Sequence, residues 1–233
     1  MPEPTVALPE RVAIVGGHGK IARLLTELLD ADGVEVRSLV RNPEHAAELE
    51  ALGAEVVVCD IERASAGEIA DALGHADAVV FAAGAGPGSG VARKWTVDRD
   101  GSLKSAEAAI LSAAMRFVQI SFIGAEGPAQ TDDEVMAAYW DAKREADEAL
   151  RGVALDWTIV KPGGLTDDEA TGRGLVSFAP LERGVTTRRA DVAALIRLAL
   201  ADDRTVWKDV SLAEGETPLD EAIDAAVAAA ATA

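Results

Sequence analysis

The chain has 233 residues, 49% hydrophobic composition, and 40 acidic against 22 basic side chains, for a formal net charge of -18. A charge of that sign repels polyanions, and no apolar run reaches membrane-spanning length, which argues against nucleic acid and membrane as partners and for a small-molecule ligand. Cys59 is the only cysteine, so an intrachain disulfide and a cysteine-built zinc site are both excluded. Its bland role is a buried thiol at a strand end.

One folding unit, 1–233, is expected at this length, as a monomer or a homodimer. Residues 1–10 carry neither a basic region nor an apolar core of secretory length, which points to the cytoplasm. Residues 11–22 (RVAIVGGHGKIA) then run an apolar strand into a glycine turn. Gly16, Gly19 and Ala22 take the G-x-x-G-x-x-G/A positions, where a strand turns tightly, backbone approaches a pyrophosphate and a helix starts close to the sheet. Gly17, His18, Lys20 and Ile21 complete the turn and the first helical residues. Their amides lack intrahelical acceptors and sit at the positive end of the helix dipole, so they suit a phosphate.

Strand-like runs recur at 12–15, 35–40, 54–59, 78–82, 117–121 and 157–161, separated by helix-like stretches at 43–52, 65–73, 96–114 and 132–151. This alternation predicts an α/β fold of Rossmann type, a doubly wound parallel sheet with helices on both faces. Beyond Pro162 the pattern changes to a glycine-rich loop, a short strand near 175–178, a helix over 189–200, a strand over 206–212 and an alanine-rich last helix from Pro218. Residues 162–233 are therefore expected to form a small C-terminal, substrate-side region. The least regular segments, 84–95 and 165–188, are where a substrate pocket is expected.

Several further stretches carry a family pattern: LVRNP from Leu39, VCDI from Val58, VVFAAG from Val79, VDRDG from Val97, QISFIGA from Gln119, the Tyr139 to Lys143 pair and TIVKPGGL from Thr158. Together with the glycine turn they resemble the short-chain dehydrogenase/reductase superfamily, in its atypical or extended branch of NAD(P)H-binding, epimerase/dehydratase-like proteins. The resemblance covers nearly the whole chain and implies a dinucleotide lying over the carboxyl ends of the strands.

Arg41 stands just past the second strand, where an acidic residue would bind the ribose of NAD. A guanidinium there suits the 2'-phosphate instead, so NADP(H) is expected in preference to NAD(H), with Arg37 and His18 able to add positive potential. An ordinary exposed arginine is the alternative. The resemblance gives Asp60 and Ile61 an adenine-binding role; Asp60 as a cap for the next helix is the other reading. Ala82, Ala83 and Gly84 keep bulk away from the dinucleotide, and Pro162 with Gly163 lets backbone approach the nicotinamide or simply turns the chain.

Tyr139, the only tyrosine, precedes Lys143 by four residues on one helix face. As the catalytic pair, the lysine would lower the phenol's pKa and hold the cofactor ribose, while Ser121 would polarise a carbonyl. A surface aromatic covered by a lysine stem is the plain alternative. Phe122 departs from the family, which has a second small hydroxyl residue there, and a phenyl ring donates no hydrogen bond. His18, His45 and His75 are scattered, so no metal is expected. The leading expectation is an NADP-dependent oxidoreductase acting on a small carbonyl, quinone or related acceptor. A non-catalytic NADP-binding redox sensor and a sugar-nucleotide epimerase or dehydratase are the alternatives.

Overall fold

A computed structural model describes residues 7–232; most of the leader reading, residues 1–6, and the last residue of the alanine-rich tail lie outside the described residues. The strands are β1 (Arg11–Val15), β2 (Glu35–Val40), β3 (Ala54–Val58), β4 (Ala78–Phe81), β5 (Arg116–Ile120), β6 (Asp156–Pro162), β7 (Gly164–Thr166), β8 (Arg173–Ser177), β9 (Thr186–Arg188) and β10 (Lys208–Pro218). The α-helices are α1 (Lys20–Ala31), α2 (Ala46–Glu50), α3 (Ala66–Leu73), α4 (Gly90–Arg93), α5 (Asp100–Leu111), α6 (Glu134–Arg151), α7 (Arg189–Leu200) and α8 (Leu219–Ala230).

Eight strands form one sheet in the order β3-β2-β1-β4-β5-β6-β10-β8, and β7 pairs with β9 in a separate two-stranded sheet. The pairs from β3 through to β10 are parallel, while β8 lies antiparallel to β10. The chain order reverses at β1, between β2 and β4, which opens a crevice at the carboxyl ends of those strands.

The central strands are apolar on both faces because both are covered. One face packs Ile14, Val80 and Val118 against Leu25 and Leu29 of α1, Val192 and Ile196 of α7, and Ile223 of α8. The other packs Val15, Phe81 and Phe117 against Ile69 and Leu73 of α3, Ala109 of α5 and Leu150 of α6.

Three local expectations need correction. The helix expected from residue 96 begins at Gly90, and residues Lys94–Arg99 form a π-helical stretch between α4 and α5. The last strand runs to Pro218 rather than ending at 212, because β8 pairs back along it. β7 and β9 are three residues each, too short to leave a period in the sequence.

Candidate functional site

The carboxyl ends of β1 and β4 and the turns after β2 and β3 enclose a cleft of about 340 Å³. Two glycines are sterically required at its floor. Gly16 has φ +85°, and a Cβ there would lie 2.5 Å from the Ala83 Cα; a Cβ on Gly17 would lie 2.6 Å from the Ser38 Cβ. Both amides donate to the Leu39 carbonyl, at 3.0 and 3.1 Å, which clamps the turn to β2. Gly19 caps α1 with extended backbone and no side-chain bond, and the first turn contains no acidic residue. The amides of that turn are thus free for an anion. A dinucleotide phosphate fits these residues.

Around this cradle the side chains divide. Ile21 is buried beneath α1, and the Lys20 ammonium leaves the cleft for Asp167 at 2.5 Å, a carboxylate also held by Arg189 at 2.7 Å. The Lys20 side chain is thus directed away from the cradle, which leaves the backbone amide facing it. Arg37 does not reach the cleft: it donates to the Ala72 carbonyl and to both Glu55 oxygens, so the positive potential expected from it is absent there. His18 lies 2.9 Å from Glu48 and stacks on His45 with ring centroids 3.5 Å apart.

Arg41 lines the cleft beside Asn42 and His45, half-exposed and 3.2 Å from Glu62. Glu62 is bound more tightly by Arg93 at 2.6 Å and by Thr96 at 2.7 Å, and the Arg93 hydrogen bonds hold its carboxyl below the usual range. Arg93, His45 and Asn42 carried no signal of their own in the sequence. Asp60 and Ile61 line the same cleft. The Asp60 carboxylate accepts from the Glu62 amide at 3.1 Å, stabilising a local turn, while α3 is capped by Ser65 and Glu68 in a reciprocal capping box. Asp60 is thus not the helix cap.

Ala82, Ala83 and Gly84 line the cleft where β4 ends. Beneath them lies Asp98, 1% exposed. Its Oδ2 accepts from the Ala85 amide at 3.1 Å and its Oδ1 has no partner among the described residues. The π-helical stretch brings this carboxylate under the strand end, a placement the VDRDG sequence signals only through the family pattern.

Tyr139 and Lys143 lie one turn apart on α6. The Lys143 ammonium donates to the Ile120 carbonyl at 2.8 Å, and burial pulls its pKa below the usual lysine value. Burial, then the carboxylates of Asp98 and Asp147, push the Tyr139 phenol above its ordinary pKa. The expected shift of the phenol to a lower pKa by the lysine is not seen: burial and the two carboxylates act on it, and the ammonium is directed to Ile120. Phe122 stacks on Tyr139 with centroids 5.3 Å apart and meets Trp140 edge-on at 5.3 Å, so an aromatic contact occupies the position of the family's second hydroxyl.

Ser121 is buried and donates to Asp147 at 2.7 Å, which commits its proton to a carboxylate instead of a substrate carbonyl. Asp147 also accepts from Gln119 at 2.7 Å and lies 3.6 Å from the Lys161 ammonium. Lys161, wholly buried, is further paired to Glu126 at 2.7 Å and Asp209 at 2.8 Å. This cluster fixes the loop after β5 to α6 and β10. Replacing Lys161 by methionine leaves Asp147 buried without its cation and is expected to cost about 3–5 kcal/mol at neutral pH. Burial already raises the Asp147 pKa, and the variant raises it further. A folded-state pKa above the unfolded one favours folding at low pH, so the deficit in urea denaturation should shrink as pH falls from 7 to 5. An equal deficit at both values counts against a buried charge as its cause.

Pro162 ends β6 and Gly163 follows it. A Cβ on Gly163 would lie 2.5 Å from the Val185 carbonyl, and its amide donates to Thr187 and to Leu212. The glycine is thus required by a crossing chain segment, a reason independent of any ligand.

A reversing parallel sheet with a glycine cradle at its switch point defines a dinucleotide-binding protein of Rossmann type. The chain belongs to the NAD(P)H-binding family, whose model matches residues 16–203. Its relatives and structural neighbours are consistent with an atypical short-chain dehydrogenase/reductase. It is 37% identical over 215 residues to the uncharacterized sugar epimerase YhfK of Bacillus subtilis, covering 91% of this chain and 98% of the relative. Among solved structures it is similar to a candidate NAD-dependent epimerase/dehydratase from Bacillus halodurans, with TM-score 0.86 and 35% identity over 93% of this chain and 99% of the other. It is also similar to the oxidoreductase ylbE from Lactococcus lactis, with TM-score 0.80 and 27% identity over 92% and 95% of the two chains.

Proposed function

We propose that the protein is an NADP(H)-dependent oxidoreductase that reduces a small carbonyl, quinone or related acceptor. The observation that carries this reading is the cleft, with a sterically required glycine cradle at its floor and Arg41 in its lining; Tyr139 and Lys143, on the helix that follows β5, stand outside the residues that line it. In this reading Gly16, Gly17, His18, Gly19 and the backbone of Lys20 and Ile21 hold the pyrophosphate. Arg41 binds the 2'-phosphate, Asp60 and Ile61 the adenine, and Ala82, Ala83 and Gly84 the dinucleotide's flank. Lys143 takes the nicotinamide ribose, and Pro162 with Gly163 closes the far side.

NADPH held by these residues would supply a hydride. The acceptor oxygen then takes its proton from the Tyr139 hydroxyl. The Tyr139 phenol is neutral at pH 7 and so has a proton to give, while burial, which raises its pKa, weakens it as an acid. Ser121 acts as a positioning residue, holding Asp147 and the end of β5, since its own hydrogen is already donated. Excluding water around Tyr139 falls to Phe122, stacked on its face.

Calorimetry with NADPH and NADH tests the cofactor assignment. NADPH is expected to bind at least about 10-fold more tightly, roughly 1.4 kcal/mol, and Arg41→Ala should erase most of that difference while leaving NADH affinity unchanged. Equal affinities in the parent protein would remove the NADP assignment, and no binding of either would remove the whole reading. The name carried by the Bacillus subtilis relative favours a second reading, a sugar-nucleotide epimerase. Conversion of a nucleotide sugar with no net change in NADPH absorbance would select it.

A further inference from the structure

Tyr139, Phe122 and Trp140 make a continuous aromatic cluster beyond the end of β5, in which Trp140 is buried and Tyr139 and Phe122 are partly exposed. Three cations border it. The Lys94 ammonium stands 5.4 Å from the Tyr139 ring centroid, the Arg183 guanidinium 4.2 Å from that of Trp140, and Lys143 lies one turn from Tyr139 on α6. Most other lysines and arginines of this acidic chain are matched to carboxylates, as in Arg41 with Glu62, Arg151 with Asp209 and Arg204 with Asp202. Among the described residues no carboxylate lies within 4.0 Å of Lys94, Lys143 or Arg183.

Lys94 is the informative member. It is 7% exposed, and among the described residues its ammonium has a single hydrogen-bond acceptor, the Gly86 carbonyl at 2.8 Å. Asp98, four residues on, spends its bonded oxygen on the Ala85 amide instead of on this ammonium. A buried cation satisfied by one neutral carbonyl is costly to fold around, and a chain with 40 acidic residues has no shortage of counterions. Arg183 is held in place from two sides, donating to Gln130 at 2.9 Å and lying on Trp140, with most of its guanidinium hydrogens still undonated.

We propose that this is an anion site, and that the acceptor is a small carbonyl compound bearing a carboxylate. The carboxylate is bound by Lys94, with Arg183 adding positive charge across the aromatic cluster, and the planar remainder lies against the partly exposed Tyr139 and Phe122 rings. The role as acceptor rests on the oxidoreductase reading; the anion site does not. The arrangement gives Phe122 a purpose in place of the missing hydroxyl, since it extends the stacking surface beside the proton donor. The local positive charge also offsets the repulsion that a small anion meets from a molecule of net charge -18.

The test uses 4-carboxybenzaldehyde and benzaldehyde, which differ by the carboxylate, titrated calorimetrically into protein saturated with NADP and assayed separately for NADPH oxidation. The carboxylated aldehyde should bind at least about 10-fold more tightly. Lys94→Met should abolish that preference, and Arg183→Gln, an exposed position with little bearing on folding, should reduce it several-fold, with NADPH affinity unchanged in both. Equal affinity for the two aldehydes in the parent protein overturns the proposal. So does a preference that survives in both variants, or a loss of NADPH affinity in Lys94→Met, which would assign that cation to the cofactor. Selective binding of 4-carboxybenzaldehyde without NADPH oxidation upholds the anion site and removes the oxidoreductase reading instead.

Discussion

Replacing Gly16 by alanine is expected to weaken NADPH binding by at least about 100-fold, on the order of 2.7 kcal/mol. Two effects combine. The position has φ +85°, and the added methyl would stand 2.5 Å from the Ala83 Cα and 2.7 Å from its amide nitrogen, both backbone atoms of the adjoining strand end. Backbone cannot swing aside as a long side chain would, so the β1 turn and the 82–84 segment must separate, and the cradle between them changes shape. Gly33→Ala is the control. It has φ +78° but no atom within 4 Å of the new methyl, so it carries the conformational strain alone, about 1–2 kcal/mol. Melting temperatures should fall for both variants, while NADPH titration should change only for Gly16→Ala. If Gly16→Ala binds NADPH as the parent does, the glycine turn is not the phosphate cradle.

Tyr139→Phe is expected to lower the rate of acceptor reduction by about 10²- to 10⁴-fold while leaving the NADPH dissociation constant unchanged. The substitution removes only the hydroxyl, so the stack on Phe122 and the packing of α6 persist. The pH profile adds a second readout. Burial raises the phenol above its ordinary value of 10.0, so its ionisation contributes no alkaline limb below pH 10. Lys143 is shifted the other way, so an alkaline limb in the measurable range belongs to its ammonium, and Lys143→Arg should move that limb upward. Turnover by Tyr139→Phe equal to that of the parent would exclude the phenol as the proton donor.

The glycine turn was legible because its requirement is local. Gly16 needs a positive φ and Gly19 begins a helix with no capping side chain, and both follow from residues within a dozen positions. The order of strands followed from their alternation with helices. The environment of Tyr139 was not legible. Its spacing to Lys143 is a property of one helix, but its protonation depends on Asp98, carried by a π-helical stretch some forty residues earlier, and on how far the surrounding loops exclude water. Ser121 likewise read as a free hydroxyl until α6 placed Asp147 against it. Arg37 read as a source of positive potential at the cleft until Glu55 claimed it.

By itself the sequence determined the parallel sheet, the cradle after its first strand and the helix that carries Tyr139 and Lys143, because hydrophobic period and glycine stereochemistry act over short distances along the chain. Only the tertiary structure decided which charges find partners. Lys161 is surrounded by three carboxylates drawn from separate segments, whereas Lys94, in the π-helical stretch, and Arg183, in the loop before β9, border one aromatic cluster with none among the described residues. Pairing is set by distance in space and by desolvation, and neither quantity is defined until the chain has packed.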